Sequence, residues 1–560
     1  VLAAFMVGID VGGTNTDAVL LRGAEVEALI KVPTDPSDLL GSTTLALHKV
    51  LEHYKEAKPV KLHLSTTLST NAIVEGRGSP TQVVTVPGPG VNLKSLDFPF
   101  TLVELDGYID HRGREISPLQ LEQVSRLRNV LGESGEALAI VGKFSQRNPA
   151  HEQSLKEEIA KWHKGIITLG HRLSGRANFP RRIVTAYLNS SIARQQLEFL
   201  RVWQKVQGSA IGEILILKAD GGTMTLEDSA ERPIESILSG PAASIMGVKA
   251  LAQCAEANFL IVDIGGTTTD LAAVVDGEVL FERDGATISG YKTLVPAVLA
   301  RSTGLGGDSR IRYEAGTGIV IGPERAGTPV CLGGEHLTPT DAAAALGLAS
   351  VGSQEAARQA WRDWGESLGL SGEKLASEVF QAFVNQLRRL VEDFYTELES
   401  MPLYTIREVL DPPRLRPAAV VGLGAPAPVF IPALAKSMGL PWEVLPFASG
   451  ANAIGAAAAR ATVGVTLQAD TQLGKVTIPE MGYQGDLHRP LFFDLGKARS
   501  LAEEKTREYA ESLGYDASGE VYIVEEESFQ MVRGFRTVGQ THMVRTQLRP
   551  EVCRVRGEDG

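Results

Sequence analysis

The sequence predicts an α/β protein of at least two domains, and three observations carry that expectation. One short stretch occurs twice, as Met6-Val7-Gly8-Ile9-Asp10-Val11-Gly12-Gly13-Thr14-Asn15-Thr16-Asp17-Ala18-Val19 and as Leu260-Ile261-Val262-Asp263-Ile264-Gly265-Gly266-Thr267-Thr268-Thr269-Asp270-Leu271-Ala272-Ala273. Strand-like apolar runs alternate with apolar positions at helical spacing through most of the chain. The length of 560 residues exceeds what one hydrophobic core usually serves.

Composition narrows the class. Hydrophobic residues at 43% and charged residues at 22% suit a globular protein. A net charge of -12, with no basic stripe, argues against nucleic acid as a partner. The cysteines Cys254, Cys331 and Cys553 are odd in number and far apart, which supports neither a disulfide framework nor a thiolate metal site. A cytoplasmic setting is the expectation. Val1 to Phe5 lack the basic start of a signal peptide, and the apolar tract Ala451 to Val465 is short and interrupted by Arg460, so no membrane association is expected.

In each copy of the repeated stretch an apolar strand ends in Asp, two glycines turn the chain, hydroxyl or amide residues follow, and a second Asp opens another strand. This predicts a strand, a Gly-rich hairpin and a strand. Missing Cβ atoms let backbone N–H groups approach an anion, and Thr14 or Thr267 adds a hydroxyl donor. A carboxylate beside such a pocket repels a bare phosphate and tolerates one neutralised by Mg²⁺. Two copies suggest two halves of a cleft gripping one polyphosphate. Neither copy is a P-loop, since no Gly-Lys-Ser/Thr follows, nor a dinucleotide fingerprint, since the turn leads into a strand.

Along the chain, Glu25 to Val32 reads as a strand and Pro36 to Tyr54 as a helix capped by Asp35 or Ser37. The run Ser65-Thr66-Thr67-Leu68-Ser69-Thr70-Asn71 reads as a strand leaving into a capped helix. Residues 86–210 look like an inserted α/β region, with strands at Ala137 to Phe144 and Gly165 to Leu169 and helices near Pro118 to Val130 and Pro149 to His163. It contains the basic run Arg172, Arg176, Arg181 and Arg182, and a long helix from Arg182 to Gly208. A strand then ends in Asp220-Gly221-Gly222-Thr223, and Ser239-Gly240-Pro241-Ala242-Ala243-Ser244 turns into a helix whose start presents free N–H groups.

After the second repeat, Gly304-Leu305-Gly306-Gly307-Asp308 is a further Gly-rich turn, and Thr340-Asp341 caps an Ala-rich helix. Helices fill Ser353 to Leu368 and Gly372 to Leu398. Val420-Val421-Gly422-Leu423-Gly424-Ala425-Pro426 is a strand leaving into a helix through glycines. From about residue 466 a small α+β tail is expected, with strands at Lys475 to Ile478 and Val521 to Val524, a helix at Lys497 to Leu513, and Glu525-Glu526-Glu527 in a solvated loop. The expected domains are 6–85 as the first part of one lobe, 86–210 as the insertion completing it, 211–465 as the second lobe, and 466–560 as the tail.

On the two repeats, the Ser-Gly-Pro-Ala run and the Gly-Gly...Thr-Asp-Ala run at Gly333 to Ala343, residues 6–460 resemble the hydantoinase/oxoprolinase A family, within the actin, sugar-kinase and Hsp70 superfamily of ATPases. The resemblance implies two Ribonuclease-H-like halves closing on ATP and Mg²⁺. It makes the repeats the two phosphate motifs, with Gly12, Gly13, Thr14, Asn15, Thr16, Gly265, Gly266, Thr267, Thr268, Gly306 and Gly307 around the phosphates. Gly422, Gly424 and Ala425 take the place of the adenosine motif. Asp10 and Asp263 become candidates for the metal or its waters, and Asp17 and Asp270 for bracing the hairpins or orienting water. Thr66, Thr67, Asn71, Arg172 and Arg176 become candidates for substrate contact.

The sequence departs from the family in three places: Ser65 stands where Gly is commoner, the run from Arg172 is basic where the family is acidic, and Asp308 follows two glycines, where it either faces the metal or a water or serves the turn. The activity implied is ATP-dependent opening of a cyclic amide, such as a hydantoin or 5-oxoproline, with a B-type subunit as candidate partner. A homo-oligomer also remains open. So do a carboxylase subunit, a small-molecule kinase of the superfamily, and a non-catalytic assembly ATPase.

Overall fold

The computed structural model describes residues 5–557, apart from 36, 57, 67, 97, 132–136, 207–209, 315, 317 and 402–413. Each repeat forms the hairpin its pattern predicts, and each hairpin sits in a six-stranded sheet of its own. The first sheet runs Thr223–Thr225, Ile211–Leu217, Val60–Thr66, Phe5–Val11, Asn15–Arg22, Glu25–Pro33. The second runs Glu278–Val279, Thr269–Val275, Phe259–Ile264, Ala419–Leu423, Trp442–Val444, with Ala300–Thr303 also pairing with Thr269–Val275. In both, the strand leading into the glycines is antiparallel to its hairpin mate and parallel to its other neighbour.

Two small-residue helices, Ser239–Leu251 and Ala451–Ala458, join the sheets. Their buried residues form one apolar cluster with Val19 and Leu21 of the first sheet and Ile261, Val421 and Leu423 of the second. Glycine lets the two helix backbones touch: a Cβ on Gly455 would lie 2.1 Å from the Ala243 carbonyl and 2.4 Å from the Gly247 nitrogen. The outer faces bury larger side chains. Leu47, Phe199 and Trp203 cover the first sheet, and Phe380, Phe383 and Phe430 cover the second.

The inserted region is a parallel four-stranded sheet ordered Ile167–Leu169, Ala137–Gly142, Thr81–Val86, Leu102–Glu104, backed by the long helix Phe179–Val206. A five-stranded antiparallel sheet with the helix Leu495–Ser512 makes the tail, which is α+β as expected. Among the described residues no helix is long and apolar enough to cross a membrane.

Several expectations are corrected. The first helix, Leu39–Leu51, is capped by Asp38, whose carboxylate accepts from the Gly41 N–H; Asp35 instead binds Ser37. Ile211–Leu217 pairs with Val60–Thr66 in the first sheet, so the second lobe does not begin at 211, and Thr81–Val86 already belongs to the inserted sheet. The Glu525-Glu526-Glu527 run lies on a strand, Val521–Arg533, where Glu525 pairs with Arg176 at 3.0 Å and Glu526 with Arg499. Ion pairing of Glu525 and Glu526, absent from any local pattern, helps make that run compatible with a strand. The third Asp-Gly-Gly-Thr is an anchor for the tail: buried Asp220 accepts from Thr462 Oγ1 at 3.0 Å and Gln547 Nε2 at 2.8 Å.

Candidate active site

The two hairpins are alike to the residue. Asp10 pairs with Asp17 across the first, and Asp263 with Asp270 across the second. The turn is closed by Gly12 N–H donating to the Asn15 carbonyl at 3.0 Å in one, and by Gly265 N–H donating to the Thr268 carbonyl at 2.9 Å in the other. Thr16 and Thr269, next along each strand, are fully buried and anchor the turns from behind. The tips face one another, with the Thr14 and Thr267 hydroxyls 3.4 Å apart.

Later segments complete the second tip. Gly307 N–H donates to the Gly265 carbonyl at 2.9 Å and Asp308 N–H to the Gly266 carbonyl at 2.8 Å, which lays the turn after Gly306 on the hairpin. Gly422 lies opposite Val262 one residue before its strand ends, and Gly424, at φ 91°, passes so close to Asp263 that a Cβ there would lie 2.8 Å from Oδ1. Side chains reach Asp263 from both central helices: Ser244 Oγ donates to Oδ2 at 2.6 Å and Asn452 Nδ2 at 3.1 Å.

Four carboxylates therefore crowd the two strand ends. Burial pushes Asp10 up to about 7, helped by Asp17 and Asp263 and opposed by a Ser65 hydrogen bond. Burial and the charges of Asp263 and Asp10 likewise push Asp270 up to about 7. Asp17 and Asp263 are raised too, chiefly by burial. Lys31 opposes the rise at Asp10, Asp17 and Asp263; its Nζ lies 2.5 Å from Asp17 Oδ1 and donates to the Ser449 carbonyl at 3.1 Å. Asp270 Oδ1 is buried without a hydrogen-bond partner.

A site with this surplus of buried negative charge and an orphaned oxygen fits a cation. Among the described residues no group of three or more His, Cys, Asp or Glu could hold a metal alone. That donor set suits Mg²⁺, which takes one or two carboxylates and completes its shell with water and phosphate oxygens. Asp10 and Asp263 are the residues that could hold it.

A cavity of about 740 Å³ opens beside the tips, within the ~300–1,000 Å³ usual for small-molecule sites. Thr14, Asn15 and Gly266 of the two turns line it, together with apolar residues such as Val351, Ala425 and Phe430. Among the described residues Arg325 is the only lysine or arginine in the lining, and its Nη2 lies 3.2 Å from Asp308 Oδ2.

Other candidates lie elsewhere. Of the turn and glycine candidates only Thr14, Asn15, Gly266 and Ala425 line this cavity; Gly12, Gly13, Thr16, Gly265, Thr267, Thr268, Gly306, Gly307, Gly422 and Gly424 do not, nor do Asp10, Asp17, Asp263 and Asp270. Thr66 is buried at the end of its strand, where its carbonyl accepts from Ser239 Oγ at 3.1 Å. Thr67 and the Asn71 side chain lie outside the described residues. Arg172 pairs with Glu231 at 3.1 Å, and Arg176 with Glu525, so the structure spends both on ion pairs and brings neither to this cavity. Ser244, Asn452, Lys31 and Arg325 escaped the sequence reading as site residues. Ser244 sits in the Ser-Gly-Pro-Ala run and could have been found there; Lys31 and Arg325 belong to no motif.

The family model for hydantoinase/oxoprolinase matches residues 182–464, and the model for the hydantoinase/oxoprolinase N-terminal region matches residues 6–162. The chain is 29% identical over 393 residues to the acetophenone carboxylase gamma subunit of Aromatoleum aromaticum, covering 61% of this chain and 53% of that one. It is 26% identical over 508 residues to the caprolactamase subunit alpha of Pseudomonas jessenii, covering 80% and 70%. The chain thus spans about half the length of the first relative. The crystal structure of ATP-dependent caprolactamase from Pseudomonas jessenii shares the mixed α/β fold, with a TM-score of 0.70 at 20% identity over 98% of this chain and 88% of that one.

Proposed function

The chain belongs to the hydantoinase/oxoprolinase family, and from that premise we propose that it is an ATP-dependent enzyme that opens a cyclic amide by phosphorylating the amide oxygen. The observation that carries the reading is the meeting of the two hairpin tips beside one cavity. Each hairpin contributes to the lining of that cavity, Thr14 and Asn15 from the first and Gly266 from the second, which supports a grip on one polyphosphate from two sides. We read the two sheets as the Ribonuclease-H-like halves of an actin-like ATPase, with the parallel insert and the α+β tail as additions.

In this reading the apolar lining residues of the cavity take the nucleoside, and Gly12 to Thr16 with Gly265 to Thr268 hold the phosphates. Mg²⁺, when bound at Asp10 and Asp263, would neutralise phosphate charge. Ser244 and Asn452 aim Asp263 and oppose the upward shift that burial imposes on it, and Lys31 does the same for Asp17. An unstrained lactam resists water because its carbon is a poor electrophile. Moving the terminal phosphoryl group onto its oxygen makes the carbon electrophilic; water adds there, the adduct collapses to an acyl phosphate as the C–N bond breaks and the ring nitrogen leaves with a proton, and a second water releases inorganic phosphate and the open-chain carboxylate. Positioning and charge neutralisation supply most of the catalysis in such a transfer.

A second reading has its own support. The acetophenone carboxylase gamma subunit is a relative, so phosphorylation of a ketone ahead of carboxylation uses the same cleft with a different acceptor. Both relatives are named as subunits, and a companion B-type subunit belongs to either reading. The test is a panel of lactams, hydantoins and 5-oxoproline beside simple ketones with bicarbonate, assayed for ADP and organic product with any co-purifying subunit present. Ring opening in step with ADP supports the amide reading. ADP formed only with ketone and bicarbonate would replace it with the carboxylase.

A further inference from the structure

We infer that Arg325 is the phosphate-binding cation of the cleft, with Asp308 as the residue that positions it. The inference rests on the nucleotide reading above and adds a residue that no motif or repeat announced.

The guanidinium is tied in register to the second hairpin. Arg325 ends the strand Gly318–Arg325, directly opposite Ser309 of the strand Ser309–Glu314. Ser309 Oγ accepts from the Gly306 N–H at 2.9 Å, and the Ala326 N–H donates to the Asp308 carbonyl at 2.8 Å. Asp308 N–H in turn donates to the Gly266 carbonyl at 2.8 Å. Backbone hydrogen bonds thus run from the hairpin tip to the residue carrying the charge, and both Gly266 and Arg325 line the same cavity.

The chemistry of the pair suits recognition of an anion. Asp308 is buried, and a Cβ on Gly266 would lie 2.5 Å from its Oδ2, so the missing side chain is what admits the carboxylate. That carboxylate engages Arg325 through Nη2 alone, at 3.2 Å. No other hydrogen bond or ion pair of the guanidinium is formed among the described residues, and the side chain keeps 31% of its exposure. Arginine presents five donors in a planar fork, so one edge can stay on Asp308 while the other takes phosphate oxygens in a bidentate manner. Lys31, the other cation of the site, is held by Asp17 and the Ser449 carbonyl and does not line the cavity. The hairpins supply amides and carboxylates; Arg325 supplies the positive charge they lack.

The test compares ligands with and without phosphate on the full chain. Calorimetry or ligand-detected NMR should measure magnesium-dependent ADP and the ATP analogue AMPPNP, and separately adenosine, on wild type, Arg325→Gln, Arg325→Lys and Asp308→Asn. Loss of a charge-assisted bidentate contact predicts about tenfold or weaker binding of ADP and AMPPNP to Arg325→Gln, with adenosine unchanged. Arg325→Lys should recover part of the loss, and Asp308→Asn should give an intermediate one. The inference is overturned if Arg325→Gln binds the phosphorylated ligands as wild type does, or if adenosine weakens equally, which would mark a merely structural role. Wild-type protein that binds none of these ligands would instead remove the nucleotide reading, and this assignment with it.

Discussion

The hydroxyls of Thr14 and Thr267, 253 residues apart in the chain, stand 3.4 Å from one another. Each tops a hairpin of the same register, so the contact is where two copies of one device meet.

That closeness can be trapped. In a Thr14→Cys/Thr267→Cys variant a disulfide is expected to form on oxidation and to abolish ATP turnover, with reductant restoring it. Wild type, whose native cysteines Cys254, Cys331 and Cys553 are free, is the control. A cross-linked variant that turns over ATP normally would place the phosphates elsewhere.

Asp10 makes stability depend on pH in a defined direction. Its folded-state value is raised from 3.8 to about 7, so between those values the folded protein binds more protons than the unfolded chain, and stability falls as pH rises. Asp10→Asn removes that penalty. It should melt higher than wild type at pH 8 without nucleotide, by an amount on the order of a few kcal/mol, and lose the advantage below about pH 4, while its turnover is abolished. Melting curves that coincide at pH 8 would show that the carboxylate is not strained.

Ser244 should tune Asp263 from the neighbouring helix. Its hydrogen bond favours the ionised carboxylate, so Ser244→Ala should raise the Asp263 value further and move the acidic limb of the turnover profile to higher pH. An unshifted limb would remove Asp263 from the ionisations that matter.

Much of this arrangement was legible in the sequence because it is local. Asp10, Gly12, Gly13 and Thr14 carry their hairpin in a dozen residues, and the second copy repeats it. What the sequence hid is made by distant pairs: Asn452 reaches Asp263 across 189 positions, and Arg176 meets Glu525 on a strand that reads as a loop. Lys31 and Arg325 sit in strands whose alternation says nothing of the charge each faces. The acidic partners of the basic run from Arg172, Glu231 and Glu525, were hidden for the same reason, since they lie far along the chain.

The two joining helices should tolerate no added bulk. Gly455→Ala would drive a methyl against the Ala243 carbonyl, and a loss of roughly 1–3 kcal/mol or more is expected from its denaturant midpoint. Gly13→Ala, where a Cβ would meet nothing within 4 Å, should be near neutral in stability. Equal effects at the two sites would contradict the packing described.

The most direct measurement is amide hydrogen exchange with and without magnesium and AMPPNP. If one nucleotide is gripped by both hairpins, its addition should slow exchange at residues 12–16 and at residues 265–268 together, in wild type and in neither Asp10→Ala nor Asp263→Ala. Protection at one hairpin alone, or protection that persists without magnesium in both variants, would contradict the two-handed cleft.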